Sequence, residues 1–534
     1  MKSNKEKILI AIILLIQTII FIIAGISKSY IHMDEAFSMG LTNYPEINIR
    51  NNEDFYNKWH DKDYYKDYLV INEDEKNDFL PVYENQKNDV HPPLYYLLLR
   101  IAMGFHIDEF SKWSGIIINI IIYIFITLFM YLIIEKLLEG KTRYKEKSAI
   151  LALISSLTIA SINNAMYIRM YALSTLNIAI TTYLHLKLLD SKESNKKLLV
   201  AIGISALAGS LTHYYYLFYL AMLFIMFTIK YLKEEQYKEF GKYFLTMVIS
   251  GIISIIIFPF SIKHMFFGYR GQGAMSSLLN ISESIKSIGI YLWNLNLYAF
   301  NNILFLIIIA MLIICIYKKR KNIKLIEQKN KYINYLLFPS LLYFILVALS
   351  SPWKELRYIM PICGIVFIIV MFYLEELFCN FIKEKKLIIT FISIFIIMFA
   401  MPSISNFVYN NIFKQHHSIK VEVLYKDKKE IVSKLKNELN VPTIYFAHSK
   451  GFRFLDDILL FANLDNSYIY DGVKFNEEDI REVFKNQNTQ NGIIVFINEK
   501  EENKKLLEIV KNSLNLEEIT YLQRMNACDI YYIK

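Results

Sequence analysis

From its N-terminus the chain reads as three lysines, Lys2, Lys5 and Lys7, followed by an apolar run from Ile8 to Ile26. Comparable runs follow near 114–134, 148–166, 170–188, 198–211, 214–232, 243–262, 301–317, 332–350, 358–379 and 387–404. Most approach the ~20 residues that a helix needs to cross a ~30 Å hydrocarbon layer. With the first run placed at 8–27, the pattern predicts a polytopic α-helical membrane protein of about eleven transmembrane helices. The first run is longer than a signal-peptide core, and no small-x-small cleavage site follows it. It is read as a retained helix.

Between and after these runs the pattern changes. Residues 28–113 form a long first loop, more acidic than basic, with Trp59 and many tyrosines. Its apolar stretch from Pro92 to Phe105 is too short to span and reads as an interfacial helix. A second long loop, near 263–302, contains Tyr269-Arg270-Gly271-Gln272-Gly273, whose glycines point to mobility. Beyond about residue 405, Val441–Ala447 and Gly492–Asn498 read as short buried strands. Phe452–Ala462, Glu477–Lys485 and Glu501–Leu514 read as amphipathic helices. That alternation predicts a small α/β domain. The expected division is therefore a transmembrane domain over 1–404, including the first loop, and an α/β domain over 405–534.

Charge orients this plan. The sequence has 59 Lys and Arg against 50 Asp and Glu, a net charge of +9. The basic residues concentrate in the short loops Glu135–Lys147, Lys187–Lys197, Lys230–Lys242, Lys318–Lys331 and Asn380–Lys386. This is the positive-inside pattern. It places those loops and the N-terminus in the cytoplasm, and both long loops and the C-terminal domain outside the plasma membrane. No basic stripe with interleaved aromatics is present, so a nucleic-acid partner is not expected. The four cysteines, Cys315, Cys363, Cys379 and Cys528, show no disulfide or zinc spacing.

Laid on this topology, the polar residues converge on the outer face. Asp34 and Glu35 follow the first span, and His91 opens the interfacial helix. Arg169 and Tyr171 lie between spans three and four, His213 and Tyr214 between spans five and six, and Arg357 and Tyr358 begin span ten. Each has a plainer reading. The carboxylates can cap a loop helix, His91 can be a turn residue, His213 an interfacial histidine, and either Arg a headgroup anchor. Five stretches delivering ionisable or hydrogen-bonding groups to one membrane depth nonetheless mark a candidate functional site.

Four of these stretches carry a family resemblance. They are Met33-Asp34-Glu35-Ala36, Asp89-Val90-His91-Pro92-Pro93-Leu94-Tyr95-Tyr96, Arg169-Met170-Tyr171 and Arg357-Tyr358-Ile359-Met360-Pro361. In this order, with Glu109-Phe110-Ser111-Lys112 before the second span, the chain resembles the GT-C membrane glycosyltransferases over roughly residues 1–400. The group it resembles most is the family 39 type, which includes protein O-mannosyltransferases and the aminoarabinose transferase of lipid A. Lys112 departs from the Arg often found there, keeping the charge and losing the planar fork.

The resemblance implies a GT-C-like bundle that moves a sugar from a polyprenyl-phosphate donor to an acceptor, with inversion. It implies Asp34 as general base, with Glu35 as its neighbour or a sugar ligand. Arg357 and then Arg169 are the donor-phosphate candidates. His91, Tyr171, His213, Tyr214 and Tyr358 are substrate-binding candidates. The acceptor stays open among lipid, protein and wall polymer. No metal-ligand spacing appears; a divalent ion between Asp34 and His91 is the one option considered. The rival readings are a transporter or flippase for a lipid-linked sugar, and a membrane scaffold. Against transport, the sequence shows no internal repeat and no paired Gly/Pro-broken spans. A scaffold leaves Asp34-Glu35 and His91-Pro92-Pro93 unexplained.

Overall fold

The computed structural model describes residues 4–28, 31–43, 56–191, 195–278, 281–324, 330–378, 440–446, 451–470, 476–497, 502–524 and 528–534. They belong to two compact units. The first falls within Met1–Ile26, Asp89–Tyr95 and Ile116–Glu422; the second within Ser27–Asn88, Tyr96–Gly115 and Val423–Lys534.

The first unit is a helical bundle. Among the described residues, Asn4–Ser27, Trp113–Leu138, Tyr216–Lys233, Tyr237–Ile257 and Met360–Leu377 are each long and apolar enough to cross a membrane. Two further pairs qualify only jointly: Tyr144–Ser156 with Ile159–Met166, bent by 60°, and Ile285–Ala299 with Leu304–Arg320, bent by 96°. The protein is thus a multi-pass membrane protein, with five to seven spans by this measure among the described residues. The eleventh expected span, 387–404, lies outside the described residues.

Three expected spans fall short: Asn334–Ser350 has 17 residues, and the other two fall short for different reasons. Lys196–Ser210 has 15 residues, a rise of about 22 Å. Tyr171–Asp190 is long enough, but it faces the bundle interior and carries polar groups matched by its neighbours. Thr181 bonds to Ser205 and Tyr216, Thr182 to Tyr219 at 2.8 Å, and His185 to Tyr243 at 3.0 Å. Gly209 permits part of this: a Cβ there would lie 2.2 Å from the Tyr216 ring.

The bends show that the expected run at 148–166 is two helices rather than one. Neither break contains Gly or Pro. The first lies at Leu157-Thr158, where the Thr158 hydroxyl caps the new helix by accepting from Ser161 N. The second lies at Phe300–Ile303, where Asn301 and Asn302 adopt φ of 47° and 70°. Asn tolerates that left-handed region better than most residues, so it breaks the helix where Gly was the signal sought.

One end of the bundle is laced by ion pairs. Lys147 meets Glu375 at 2.6 Å with both side chains buried, and Lys141 pairs with Glu376. Lys145 reaches Glu6 at 2.6 Å, while Lys136 and Lys331 both pair with Asp190. Basic loops expected on one side therefore gather at one end of the unit, together with the start of the first helix.

The second unit is an α/β domain with a mixed six-stranded sheet in the order β1-β3-β2-β4-β6-β5. Its strands are β1 (Trp59–His60), β2 (Thr443–Phe446), β3 (Ser467–Tyr470), β4 (Ile493–Ile497), β5 (Ile519–Arg524) and β6 (Asp529–Ile533). The expected strands at 441–447 and 492–498 are β2 and β4, fully buried and parallel. The expected helices appear as Gly451–Asp457 with Ile458–Phe461, Glu477–Phe484 and Glu502–Ser513. Ile444, Val495, Ile480, Phe484, Leu507 and Val510 supply much of the core.

The first loop contributes to this domain, while the expected boundary at 405 lies outside the described residues. β1 pairs antiparallel with β3, and the Trp59 indole donates to Val483 O at 2.9 Å while packing on Phe484. Ser467 Oγ donates to the Tyr65 hydroxyl at 2.8 Å. The buried Arg100 guanidinium donates to the carbonyls of Thr42 and Glu75, holding the loop's own segments together.

Candidate functional site

The residues singled out from the sequence divide between the two units. Asp34 and Glu35 stand in the second, and all the others in the first.

In the second unit, Asp34 and Glu35 occupy the first turn of the helix Met33–Gly40, which His32 caps. His32 O accepts from Glu35 N at 2.8 Å and His32 Nδ1 accepts from Asp34 N at 3.1 Å. His32 Nδ1 also lies 3.8 Å from Asp34 Oδ2. Glu35 is fully buried. Both its oxygens accept from Lys28 Nζ, at 3.0 and 2.8 Å, and Oε2 also takes the His32 N–H at 2.7 Å. Burial lowers the pKa of Lys28 and the adjoining Glu35 opposes that shift. Glu35 is thus engaged in a capping box and a buried ion pair. Asp34 keeps its side chain 15% exposed. Lys112 donates to Lys28 O, which ties it to the same turn.

In the first unit, the turns joining helices bring histidines, arginines and tyrosines together. Leu94 N donates to Leu211 O at 3.0 Å, bringing the turn holding His91 beside the one holding His213. Their ring centroids are 6.1 Å apart. His91 Nδ1 lies 2.7 Å from Asp89 Oδ2, which fixes Nδ1 as the protonated nitrogen and leaves Nε2 as an acceptor. His213 is the converse: its Nδ1 accepts from Tyr215 N at 3.1 Å, so the neutral ring carries its proton on Nε2. Burial lowers both pKa values. Asp89 opposes the shift at His91, and Arg169 and Arg270 add to it. At His213, His91 and Arg169 add to it. One acceptor and one donor nitrogen thus sit on neighbouring neutral rings.

The arginines and aromatics surround this pair. Arg357, in the short turn Leu356–Tyr358, donates to the Tyr167 hydroxyl at 3.2 Å and meets Glu355 at 2.9 Å. Its guanidinium lies 5.3 Å from the Tyr358 ring centroid. Tyr343 donates to Tyr358 O at 2.8 Å and so secures the turn. Tyr171 stacks on Tyr167 at 6.1 Å, and lies 5.5 Å from the His213 ring and 6.2 Å from the Tyr358 ring. Tyr214 bonds to His264 at 2.9 Å, and burial raises its pKa.

His91, Tyr171, His213 and Tyr358 therefore share one neighbourhood, with the charge of Arg169 reaching both histidines and Arg357 anchored on Tyr167. Sequence reading missed Asp89, Tyr167, Tyr215, His264 and Arg270. Asp89 and Arg270 stood inside quoted motifs, and their charge was the available signal. Among the described residues, no group of three His, Cys, Asp or Glu side chains is placed to hold a metal ion.

No protein-family model matches the sequence. No curated protein matches it either. Among solved structures, ArnT from Cupriavidus metallidurans bound to undecaprenyl phosphate is similar at a TM-score of 0.50, with 7% identity, covering 99% of this chain and 98% of that one. The apo state of the same protein aligns at a TM-score of 0.45, also with 7% identity, over 93% and 96%. The chain thus has the ArnT fold, the kind of fold that the resemblance to GT-C glycosyltransferases implied.

Proposed function

We propose that this protein is a membrane glycosyltransferase that moves a sugar from a polyprenyl-phosphate donor to an acceptor on the outer face of the plasma membrane. The observation that carries the reading is the cluster of Arg169, Arg357, His91, His213 and tyrosines on a bundle of ArnT fold. The ArnT structure contains undecaprenyl phosphate, a lipid phosphate of the chemistry such a cluster suits. Guanidiniums match a departing phosphate bidentately and stabilise charge as it develops. The neutral His91 and His213 offer an acceptor and a donor for sugar hydroxyls.

Inversion requires a base that takes the acceptor's proton as its oxygen attacks the anomeric carbon and the lipid phosphate leaves. Asp34 fits that role better than Glu35, whose oxygens are already engaged by Lys28 and His32. In vitro transfer from a polyprenyl-phosphate sugar tests this directly. Asp34→Asn is expected to lower turnover by ~10²–10⁴-fold with donor binding intact. Near-normal turnover would remove Asp34 as the base. The outer-face assignment is tested by labelling single cysteines placed near residues 60, 285 and 325 in a cysteine-free background. The first two should react from outside and the third should not; the inverse pattern would overturn it.

A second reading, a flippase for a lipid-linked sugar, gains support from the two bent helix pairs, since broken spans are a feature of transporters. Consumption of the donor by purified protein in detergent, without any gradient, separates the two.

A further inference from the structure

We infer that Asp456 is a positioning residue that seats the helix presenting Asp34, so that the C-terminal segment is a working part of the base site. This rests on the reading of Asp34 given above. The opening amides of a helix have no intrahelical acceptor and need one from elsewhere. In Met33–Gly40, three of the four are served locally: His32 N donates to Glu35 Oε2, Asp34 N to the His32 ring and Glu35 N to the His32 carbonyl. The remaining amide, Met33 N, donates at 2.8 Å to Asp456 Oδ1, 423 residues further along the chain. A carboxylate there also suits the positive end of the helix dipole.

Asp456 is itself held firmly. It lies in the short helix Gly451–Asp457, between buried Leu455 and Asp457. Phe454 packs against Tyr445 of β2 and against Tyr65 of the first loop, at 6.5 and 6.2 Å. Aromatic packing from both parts of the domain therefore places the acceptor, and the acceptor places the residue beside Asp34. Displacing a reacting group by about 1 Å can cost on the order of 10²-fold in rate. The arrangement gives the C-terminal segment a role in turnover besides any choice of acceptor.

The test pairs Asp456→Ala with Asp456→Asn in the full-length protein. Asparagine keeps an oxygen for Met33 N–H; alanine does not. Two readouts are needed: steady-state kinetics with a polyprenyl-phosphate sugar, and hydrogen–deuterium exchange of the peptide covering 33–40. Asp456→Ala should lower kcat roughly tenfold or more, leave the donor KM unchanged and speed exchange in 33–40. Protection of β4 should stay unchanged, and Asp456→Asn should restore both values to near wild type. Exchange and kcat unaltered in Asp456→Ala, or Asp456→Asn as impaired as Asp456→Ala, would overturn the inference. If the alanine variant fails to fold, Asp456→Ser, which shortens the reach, takes its place under the same criteria. Asp34→Asn run in parallel keeps the two ideas apart. Normal turnover there, with faster exchange in Asp456→Ala, would sink the base assignment and leave the seating intact.

Discussion

The two ends of the helical unit handle charge in opposite ways. Helix Tyr171–Asp190 connects them, and its 20 residues cover about 30 Å. At its Asp190 end the cations are lysines matched to carboxylates: Lys147 with Glu375, Lys141 with Glu376, Lys145 with Glu6, and Lys136 and Lys331 with Asp190. At its Tyr171 end Arg169 and Arg357 are set among histidines and tyrosine rings, with Asp89 on His91 and Glu355 on Arg357. Lysine is a point charge whose pairing ties helix ends together. Arginine presents a planar fork that tyrosines can orient toward a phosphate. The first arrangement is argued to hold the bundle, the second to hold a ligand.

That contrast breaks first at Lys147. Removing one partner of a buried pair leaves an uncompensated charge and typically costs about 3–5 kcal/mol. Lys147→Ala should therefore lower the unfolding midpoint in detergent markedly, while transfer per folded molecule stays near wild type. Midpoints equal to wild type, or a selective loss of donor affinity, would erase the distinction between the ends. Arg357→Lys is the reciprocal test. Charge is kept and the two-pronged hydrogen bonding is lost, so donor kcat/KM should fall roughly tenfold or more with little change in the midpoint. Donor titrations matching wild type would take Arg357 out of the phosphate site.

Much of this was legible in the sequence because local patterns carried it. Most apolar runs among the described residues, the amphipathic helix at 477–485 and the buried strands at 441–447 and 492–498 each depend on near neighbours, and these appear as helices and strands in place. What escaped depends on distant partners. Tyr171–Asp190 is less apolar than a lipid-facing span because Thr181, Thr182 and His185 are satisfied by residues of other helices. β1 has two residues and exists through its pairing with β3, some 400 positions away in sequence. The helix breaks at Thr158 and at Asn301-Asn302 carry no Gly or Pro to announce them. Asp34 stands in the motif Met33-Asp34-Glu35-Ala36, but the engagement of Glu35 by Lys28 and the reach of Asp456 to Met33 follow only from tertiary contacts.

Acid should act on the arginine end through its histidines. His213 faces His91, Arg169, Tyr171 and Tyr215, and burial with those neighbouring charges puts its pKa well below the usual 6.5. For a base with a depressed folded pKa, the unfolded chain binds more protons between the two values, so stability rises with pH across that window. The contribution is complete above about pH 6.5 and is lost as pH falls toward the folded value. Wild type should thus lose thermal stability between pH 7.5 and 5.5, and His213→Gln should flatten that slope. An equally steep slope in the variant would assign the titration to other groups.

The smallest expected effect, and the sharpest for the arginine end, belongs to Tyr167→Phe. Tyr167 accepts from Arg357 Nη1 at 3.2 Å, and its ring lies nearly parallel to that of Tyr171, tilted by 7° with centroids 6.1 Å apart. Phenylalanine keeps the stacking and deletes the hydroxyl, so the bundle should fold with little change in midpoint. A hydrogen bond to a charged group contributes about 1.5–3 kcal/mol, but Glu355 still holds the other side of the guanidinium at 2.9 Å. The net cost should sit at or below the low end of that range, a few-fold rise in donor KM with kcat little changed. The change should also be non-additive with Arg357→Lys, because both act on one guanidinium. Additive losses in the double variant would mean that Tyr167 serves the donor independently of Arg357, and that orientation by tyrosine is not what distinguishes this end of the bundle from the lysine end.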